Sequence, residues 1–473
     1  VDQLTGLDAS FLNMETRVQH GHVGGVVVLD PSTAPSDWSF RTLWDLIEQR
    51  LHLLAPFRRR LVSVPFDLDH PYWIDDPDFD LGFHLRHIAV PPPGGPAELA
   101  TLAARIHERP LDRTRPLWEM YLIEGLAGGR MATYTKLHHA GVDGVSGAEI
   151  LSTLLDVEPE GREIPPPEEP WMGDPIPTPL SLLVRTGVKL TLSPAKAMRA
   201  AYEIARSVPG FRPLESLPAL VGLWTDGDEV LSRPSLVGPR SMLNRPITPH
   251  RRWAFGDIPL KTMKNIKNAA GTTVNDVVIA VSAGAVRRWL LDHDDLPTRS
   301  LQALVPISIR TEDEQGEFGN RVSAMITPIG THLDDPVRRL EFVHHTMDVA
   351  KSIHDATPAR TLQDVATFAP PAIAARAAQV VFRNGRAGRW TPFNLVISNV
   401  PGPPIPLFLA GAQVEGHYPL STIIDGAALN ITLYSYLDRM CFGLIADREV
   451  VPDLWHLFSL LEDEVAELEK ALT

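Results

Sequence analysis

The chain has 473 residues, a hydrophobic fraction of 44%, a charged fraction of 22% and a formal net charge of −14. Such a length predicts two domains rather than one core, and the balance of apolar and charged residues is that of a soluble globular protein. The charge excludes the broad basic face of a nucleic-acid-binding protein, and a single cysteine, Cys441, excludes a disulfide framework or a thiolate metal cluster.

The first dozen residues, Val1 to Leu12, have neither a basic start nor a long apolar core, so they predict no signal peptide. No run approaches the ~18 apolar residues of a membrane span. The expectation is a cytoplasmic chain whose contact with lipid, at the inner membrane or a droplet, is peripheral. Gly21 to Leu29 reads as a buried strand, and Trp44 to Leu51 and Leu99 to His107 have helical spacing. Leu117–Glu124 and Arg130–Leu137 read as two strands joined by the turn signal Ala127-Gly-Gly. Ser146 to Leu155 then starts a helix, with Ser146 and Glu149 at capping-box spacing.

Composition shifts at Pro159, and Ile164 to Pro179 reads as an extended acidic, proline-rich linker. From Leu180 to Val208, Arg185, Lys189, Lys196, Arg199 and Arg206 are interleaved with apolar residues. That pattern suits a helix lying on a lipid surface, but a connecting helix that packs on the domains is the favoured reading. A second α/β unit starts near Arg251. Thr273 to Val286 reads as a buried helix, Leu301 to Arg310 as a strand, and Asp335 to His345 as a capped helix with proline at its first position. Phe393 to Val400 reads as a strand stopped by Pro401-Gly-Pro-Pro. More strands follow, one of them holding Cys441 as a buried packing thiol, and an amphipathic helix closes the chain from Pro452 to Leu472. The expected division is an N-terminal domain over 1–160, a linker with connecting helices over 161–245, and a C-terminal domain over 246–473.

The chemistry concentrates in Tyr134-Thr-Lys-Leu-His138-His139-Ala-Gly141-Val-Asp143-Gly144, where a strand delivers two histidines to a loop. A neutral imidazole accepts and returns a proton near working pH, and as a general base contributes ~10²–10⁴-fold. His139 is the expected base. Asp143 is expected to fix the loop, and Gly141 and Gly144 to leave room for a thioester arm. The spacing alone is weak: His344 and Asp348 repeat it mid-helix, without the glycine or the strand, and read as a solvated helix face.

The chain resembles the bacterial wax ester synthase/acyl-CoA:diacylglycerol acyltransferases, within the wider group of CoA-dependent acyltransferases and peptide-synthetase condensation domains. The resemblance runs nearly end to end, through Leu7-Asp-Ala-Ser-Phe-Leu, Pro116-Leu-Trp118-Glu, His138 to Gly144, Asn275-Asp276, Pro306-Ile-Ser-Ile-Arg310, Phe318-Gly-Asn-Arg-Val and Asn399-Val-Pro401-Gly402-Pro. It implies two chloramphenicol-acetyltransferase-like α/β domains, with mixed sheets flanked by helices. It implies His139 as base beside His138, a structural Asp143 with Arg310 as candidate ion-pair partner, and Asn275 polarising the thioester carbonyl or holding the acceptor. Asp276 supports that helix, an ordinary place for an aspartate being a helix cap. Gly141, Trp118, Asp276, Asn399, Pro401 and Gly402 are candidate substrate contacts, although a tryptophan such as Trp118 is more often core.

The implied reaction moves a long-chain acyl group from acyl-CoA to diacylglycerol, or to a fatty alcohol, without an acyl-enzyme. Acyl-CoA is a co-substrate, and neither a resident cofactor nor a metal is expected. The expected protein is a monomer, with a membrane or droplet surface as its peripheral partner. Two readings stand beside this one: a condensation-type domain fed by a carrier protein, and a lipid-droplet protein with weak activity.

Overall fold

The computed structural model describes residues 2–142, 144–167, 169, 171–192, 238–308, 322–356 and 392–472. The strands in chain order are β1 (Asp2–Gln3), β2 (His22–Asp30), β3 (Arg59–Val62), β4 (Tyr72–Asp75), β5 (Leu85–Ala89), β6 (Trp118–Glu124), β7 (Met131–His138), β8 (Arg251–Pro259), β9 (Gln302–Ser308), β10 (Val322–Pro328), β11 (Leu395–Val400), β12 (Phe408–Leu409), β13 (Ala412–Leu420), β14 (Leu429–Tyr436) and β15 (Arg439–Asp447). They form two mixed six-stranded sheets, ordered β12-β13-β2-β7-β6-β5 and β10-β9-β11-β14-β15-β8, and a small sheet β1-β4-β3.

The apolar runs lie where they can be covered on both faces. In β6 every residue from Trp118 to Ile123 is buried, and β7 pairs with it antiparallel through the turn at Ala127–Gly129. In the other sheet, β11 runs parallel to both β9 and β14. Helix Val274–Asp292 is apolar around most of its circumference because helices Pro336–Ala356 and Leu454–Leu472 pack against it. Arg339 and Glu464, from those two helices, form a buried ion pair at Gly284, where a Cβ would overlap the Glu464 carboxylate.

The two halves interlock. Strand β13, from the second half, pairs antiparallel with β2 and extends the first sheet. Its far side meets β8 and β15: Tyr418 donates its hydroxyl to Asp257 at 3.0 Å, and Trp253 Nε1 donates to the Pro419 carbonyl at 3.1 Å. Helix Pro96–His107 packs in turn on β8. One hydrophobic cluster therefore runs through both halves. The first sheet draws strands from outside residues 1–160, a connection that periodicity within each segment does not reveal.

Helix Pro179–Leu192 holds Leu182 buried beside Val64 and Tyr72, while Leu180, Val184 and Val188, one turn apart, are exposed. Residues 193–208 of the helical stretch expected over 180–208 lie outside the described residues.

Candidate active site

His138 ends β7, opposite His22 of β2, and the chain turns at His139 and Ala140. The turn is held from three sides. His138 donates its backbone N–H to Leu117 O at 3.0 Å, His139 to Gly21 O at 2.8 Å, and Gly141 to His138 O at 3.0 Å.

The His138 ring is locked as well. Its Nδ1 accepts the Ala140 N–H at 3.0 Å, so Nε2 carries the proton and donates it to Glu15 Oε1 at 3.1 Å. Both ring nitrogens are engaged and the side chain is buried, which leaves His138 no lone pair for a substrate. Glu15 is the hub. Its Oε1 also accepts the Gly21 N–H at 2.7 Å, and its Oε2 accepts Arg113 Nε at 3.1 Å. Burial alone would raise the Glu15 carboxyl; its contact with His138, the charge of Arg113 and the Gly21 amide hold it down at about 2.

The His139 ring is half-buried and stacks on Phe11, with centroids 4.3 Å apart and planes 8° from parallel. Phe11 comes from helix Gly6–Asn13, capped by Thr5, whose hydroxyl accepts the Asp8 N–H. The opening block thus has a physical role: its helix delivers Phe11 to one histidine and, just beyond its end, Glu15 to the other. Glu15 was not among the expected residues. It lies outside the matching block, and no spacing in the sequence marks it as a partner of His138.

A buried polar layer supports the loop from below. Lys136, fully buried, donates Nζ to Ile106 O at 3.1 Å and Arg109 O at 3.0 Å, and pairs with Glu119 Oε2 at 3.3 Å. It thereby satisfies carbonyls at the end of helix Pro96–His107, where a cation is favoured. His107 shares a 2.8 Å hydrogen bond between Nδ1 and the Tyr134 hydroxyl, and its Nε2 donates to Ser421 O at 3.1 Å. Burial, then the charges of Lys136 and Arg251, push His107 well below the ordinary imidazole range, so it stays neutral. The second half reaches this layer directly: Thr422 donates its hydroxyl to His20 O at 2.8 Å, and the Asp425 N–H bonds Gln19 Oε1 at 2.9 Å.

The other candidate residues have different surroundings. Trp118 is core: its ring lies between Phe57 and His84, at 4.2 and 4.6 Å, and its Nε1 donates to Phe57 O at 2.8 Å. It braces the strand beside the histidine loop and, at 1% exposure, offers no face to a substrate. Gly141 is not forced by crowding, since a Cβ there would meet His138 O at 3.7 Å and Trp73 at 3.9 Å, ordinary contacts. Gly144 opens helix Gly144–Leu154, two residues ahead of the expected start.

Asn275 and Asp276 lie in the first turn of helix Val274–Asp292, with Asn275 half-buried. Asp276 forms a capping box with Thr273: its carboxylate accepts the Thr273 N–H at 3.0 Å, and the Thr273 hydroxyl accepts the Asp276 N–H at 3.2 Å. It is wholly buried, which fits a support for that helix rather than a substrate contact. Asn399 is half-buried near the end of β11, and Pro401 and Gly402 follow it. The Gly402 N–H bonds the Ser435 hydroxyl at 2.9 Å, and a Cβ on Gly402 would overlap the Ser435 carbonyl and the Tyr434 ring. Asp143, Arg310 and residues 318–321 of the Phe318 block lie outside the described residues. Among the described residues no group of three or more His, Cys, Asp or Glu side chains is placed to hold a metal ion.

A family model described as the wax ester synthase/diacylglycerol acyltransferase catalytic domain matches residues 4–278, and one for the C-terminal domain of the same enzymes matches residues 318–469. A Mycobacterium tuberculosis protein named a probable diacylglycerol O-acyltransferase is 34% identical over 480 residues, 100% of both chains. An O-acyltransferase of Acinetobacter baylyi is 34% identical over 97% of this chain and 95% of its own. The solved wax ester synthase/diacylglycerol acyltransferase from Marinobacter aquaeolei VT8 is 32% identical, with a TM-score of 0.70 and 99% of each chain covered. The first condensation domain of the calcium-dependent antibiotic synthetase shares the fold at 17% identity, with a TM-score of 0.56 and 100% and 96% of the chains covered.

Proposed function

This chain belongs to the wax ester synthase/diacylglycerol acyltransferase family and is an acyltransferase of triacylglycerol and wax ester synthesis, and from that premise we propose how its residues carry the reaction. His139 is the general base, and acyl-CoA is the donor. The observation that carries this assignment is the locked ring of His138: of the two adjacent imidazoles, one has both nitrogens committed to Ala140 and Glu15.

The steps follow from proton and electron balance. His139 takes the hydroxyl proton of the acceptor as its oxygen attacks the thioester carbonyl carbon. The tetrahedral oxyanion collapses, the C–S bond breaks, and the imidazolium returns its proton to the CoA thiolate. No side chain is acylated. The stack on Phe11 fixes the plane of the His139 ring, and orientation of this kind supplies much of an enzyme's advantage over free reactants. Both acceptors are poorly soluble in water, so the enzyme works at a membrane or droplet surface, a reading supported by the exposed row Leu180, Val184 and Val188.

The test is ester formation from labelled palmitoyl-CoA with diacylglycerol or hexadecanol, by the wild type and by His139→Ala and His138→Ala. Product from the wild type and a loss of ~10²–10⁴-fold in His139→Ala are expected. Equal product from wild type and His139→Ala would remove the base assignment. The ratio of the two esters ranks the acceptors.

A further inference from the structure

Glu15, the partner of His138, also lines a cleft of 640 Å³, walled with it by Arg17, His20, Glu108, Arg109 and Arg113 of the first half and by Pro249 and His250 of the second. Its carboxylates already have internal partners. Glu15 is held by His138, Gly21 and Arg113, and Glu108 accepts the Arg251 N–H at 3.1 Å with His250 Nδ1 at 3.6 Å. Its cations are in part uncommitted: Arg17 and Arg109 are exposed and have no carboxylate partner among the described residues. Arg113 stands beside them, tied to Glu15 but still about half exposed. Arg251 and Lys136 lie buried close by and add positive potential. In a chain of net charge −14, this concentration of guanidinium groups runs against the overall balance.

We propose that this cleft is a phosphate-binding subsite that takes the phosphorylated head of the acyl-CoA donor; the assignment rests on the acyl-CoA reading above. CoA carries a pyrophosphate and a 3′-phosphate, and an acidic protein repels such a ligand unless it provides a local positive lip. Guanidinium groups bind phosphate oxygens in pairs, through a planar fork of N–H donors. The cleft is also wired to the loop. A phosphate beside Arg113 is one ion pair from Glu15, which holds His138 at the start of the turn that presents His139. Docking of the donor head and the posture of the histidine loop thus share one residue.

The test uses the full chain and the double variant Arg17→Ala/Arg109→Ala, whose side chains bridge nothing else among the described residues. Titration calorimetry with CoA, 3′-dephospho-CoA and inorganic phosphate is paired with kinetics on palmitoyl-CoA and hexadecanol, and with flotation on phosphatidate vesicles. Loss of two charge-assisted contacts is expected to weaken CoA binding and raise the palmitoyl-CoA KM by about tenfold or more, with the hexadecanol KM within about twofold. The preference of the wild type for CoA over dephospho-CoA should shrink in the variant. Unchanged CoA affinity in an active, folded double variant would overturn the subsite alone. So would lost binding to phosphatidate vesicles with CoA affinity retained, which would assign the cleft to a lipid headgroup. A wild type that bound no CoA and formed no ester would overturn the donor assignment together with the cleft.

Discussion

His344 Nδ1 lies 2.8 Å from Asp276 Oδ2, joining the first turn of helix Val274–Asp292 to the neighbouring helix Pro336–Ala356. In the sequence His344 reads as part of a solvated repeat of the histidine-aspartate spacing. Its other ring nitrogen does face Asp348, at 3.6 Å along the same helix. The half that matters for packing points the other way, onto a carboxylate with no exposure at all. An i,i+4 spacing shows which residues share a helix face, not which neighbouring helix that face meets.

That pairing has a cost when broken. Asp276 Oδ2 accepts from Thr273 and His344, and its Oδ1 has no partner among the described residues. His344→Ala would leave a buried carboxylate one donor short, a loss of about 1–3 kcal/mol. A lower melting temperature is expected for His344→Ala, with His344→Gln between it and the wild type because its amide can still donate. Coincident melting of all three would show that the contact contributes nothing to stability.

Glu15 sets an acid limit. Its carboxyl falls from the ordinary 4.5 to about 2 in the folded chain, so the stabilisation it brings is fully present above pH 4.5 and lost as the pH falls towards 2. At 13% side-chain exposure the effect is about 3 kcal/mol. Wild-type melting temperature should drop more steeply than that of Glu15→Gln across this window. Near neutral pH, Glu15→Ala should lose up to about 100-fold in kcat through misplacement of the histidine loop, with a good part restored in Glu15→Gln, which can still accept from His138. Full activity in Glu15→Ala would remove its positioning role.

Much of the fold was legible because it rests on local pattern. The buried run of β2, the hairpin of β6 and β7 and the apolar helix Val274–Asp292 follow from periodicity and turn chemistry, and the histidine loop from its place after a strand. The contacts that reach across the chain were not legible. Strand β13 shows the alternation of a half-buried strand wherever it pairs, and nothing local directs it to β2, nearly 400 residues away. Glu15 and Phe11 become partners of the two histidines only once helix Gly6–Asn13 docks on the turn.

The join between the sheets can be opened without touching the histidines. Gly443 of β15 lies under Pro419 of β13, where a Cβ would overlap the Pro419 carbonyl that also accepts from Trp253. The obstacle on that side is backbone, so Gly443→Ala has to push the strands apart, at about 1–3 kcal/mol for overpacking. Reduced melting temperature and reduced ester formation are expected together, with the tryptophan fluorescence of the folded chain altered by the loss at Trp253. A variant that matched the wild type in all three would mean that the sheets yield there freely.

The exposed row on helix Pro179–Leu192 separates two roles that the sequence left in competition. Leu182 is buried on Val64 and Tyr72, so one side of the helix packs as a connecting helix would. Leu180, Val184 and Val188 are 71%, 58% and 52% exposed, a stripe of one-turn period. Sinking one such side chain into lipid is worth roughly 1.5–3 kcal/mol, so Leu180→Asp/Val184→Asp should lower vesicle co-flotation by at least about tenfold. Activity on a short-chain alcohol, which needs no lipid surface, should persist, because both side chains are exposed and neither belongs to the packing of Leu182 on Val64 and Tyr72. Undiminished flotation of the double variant would return the helix to a packing role alone, with its apolar row simply left in water.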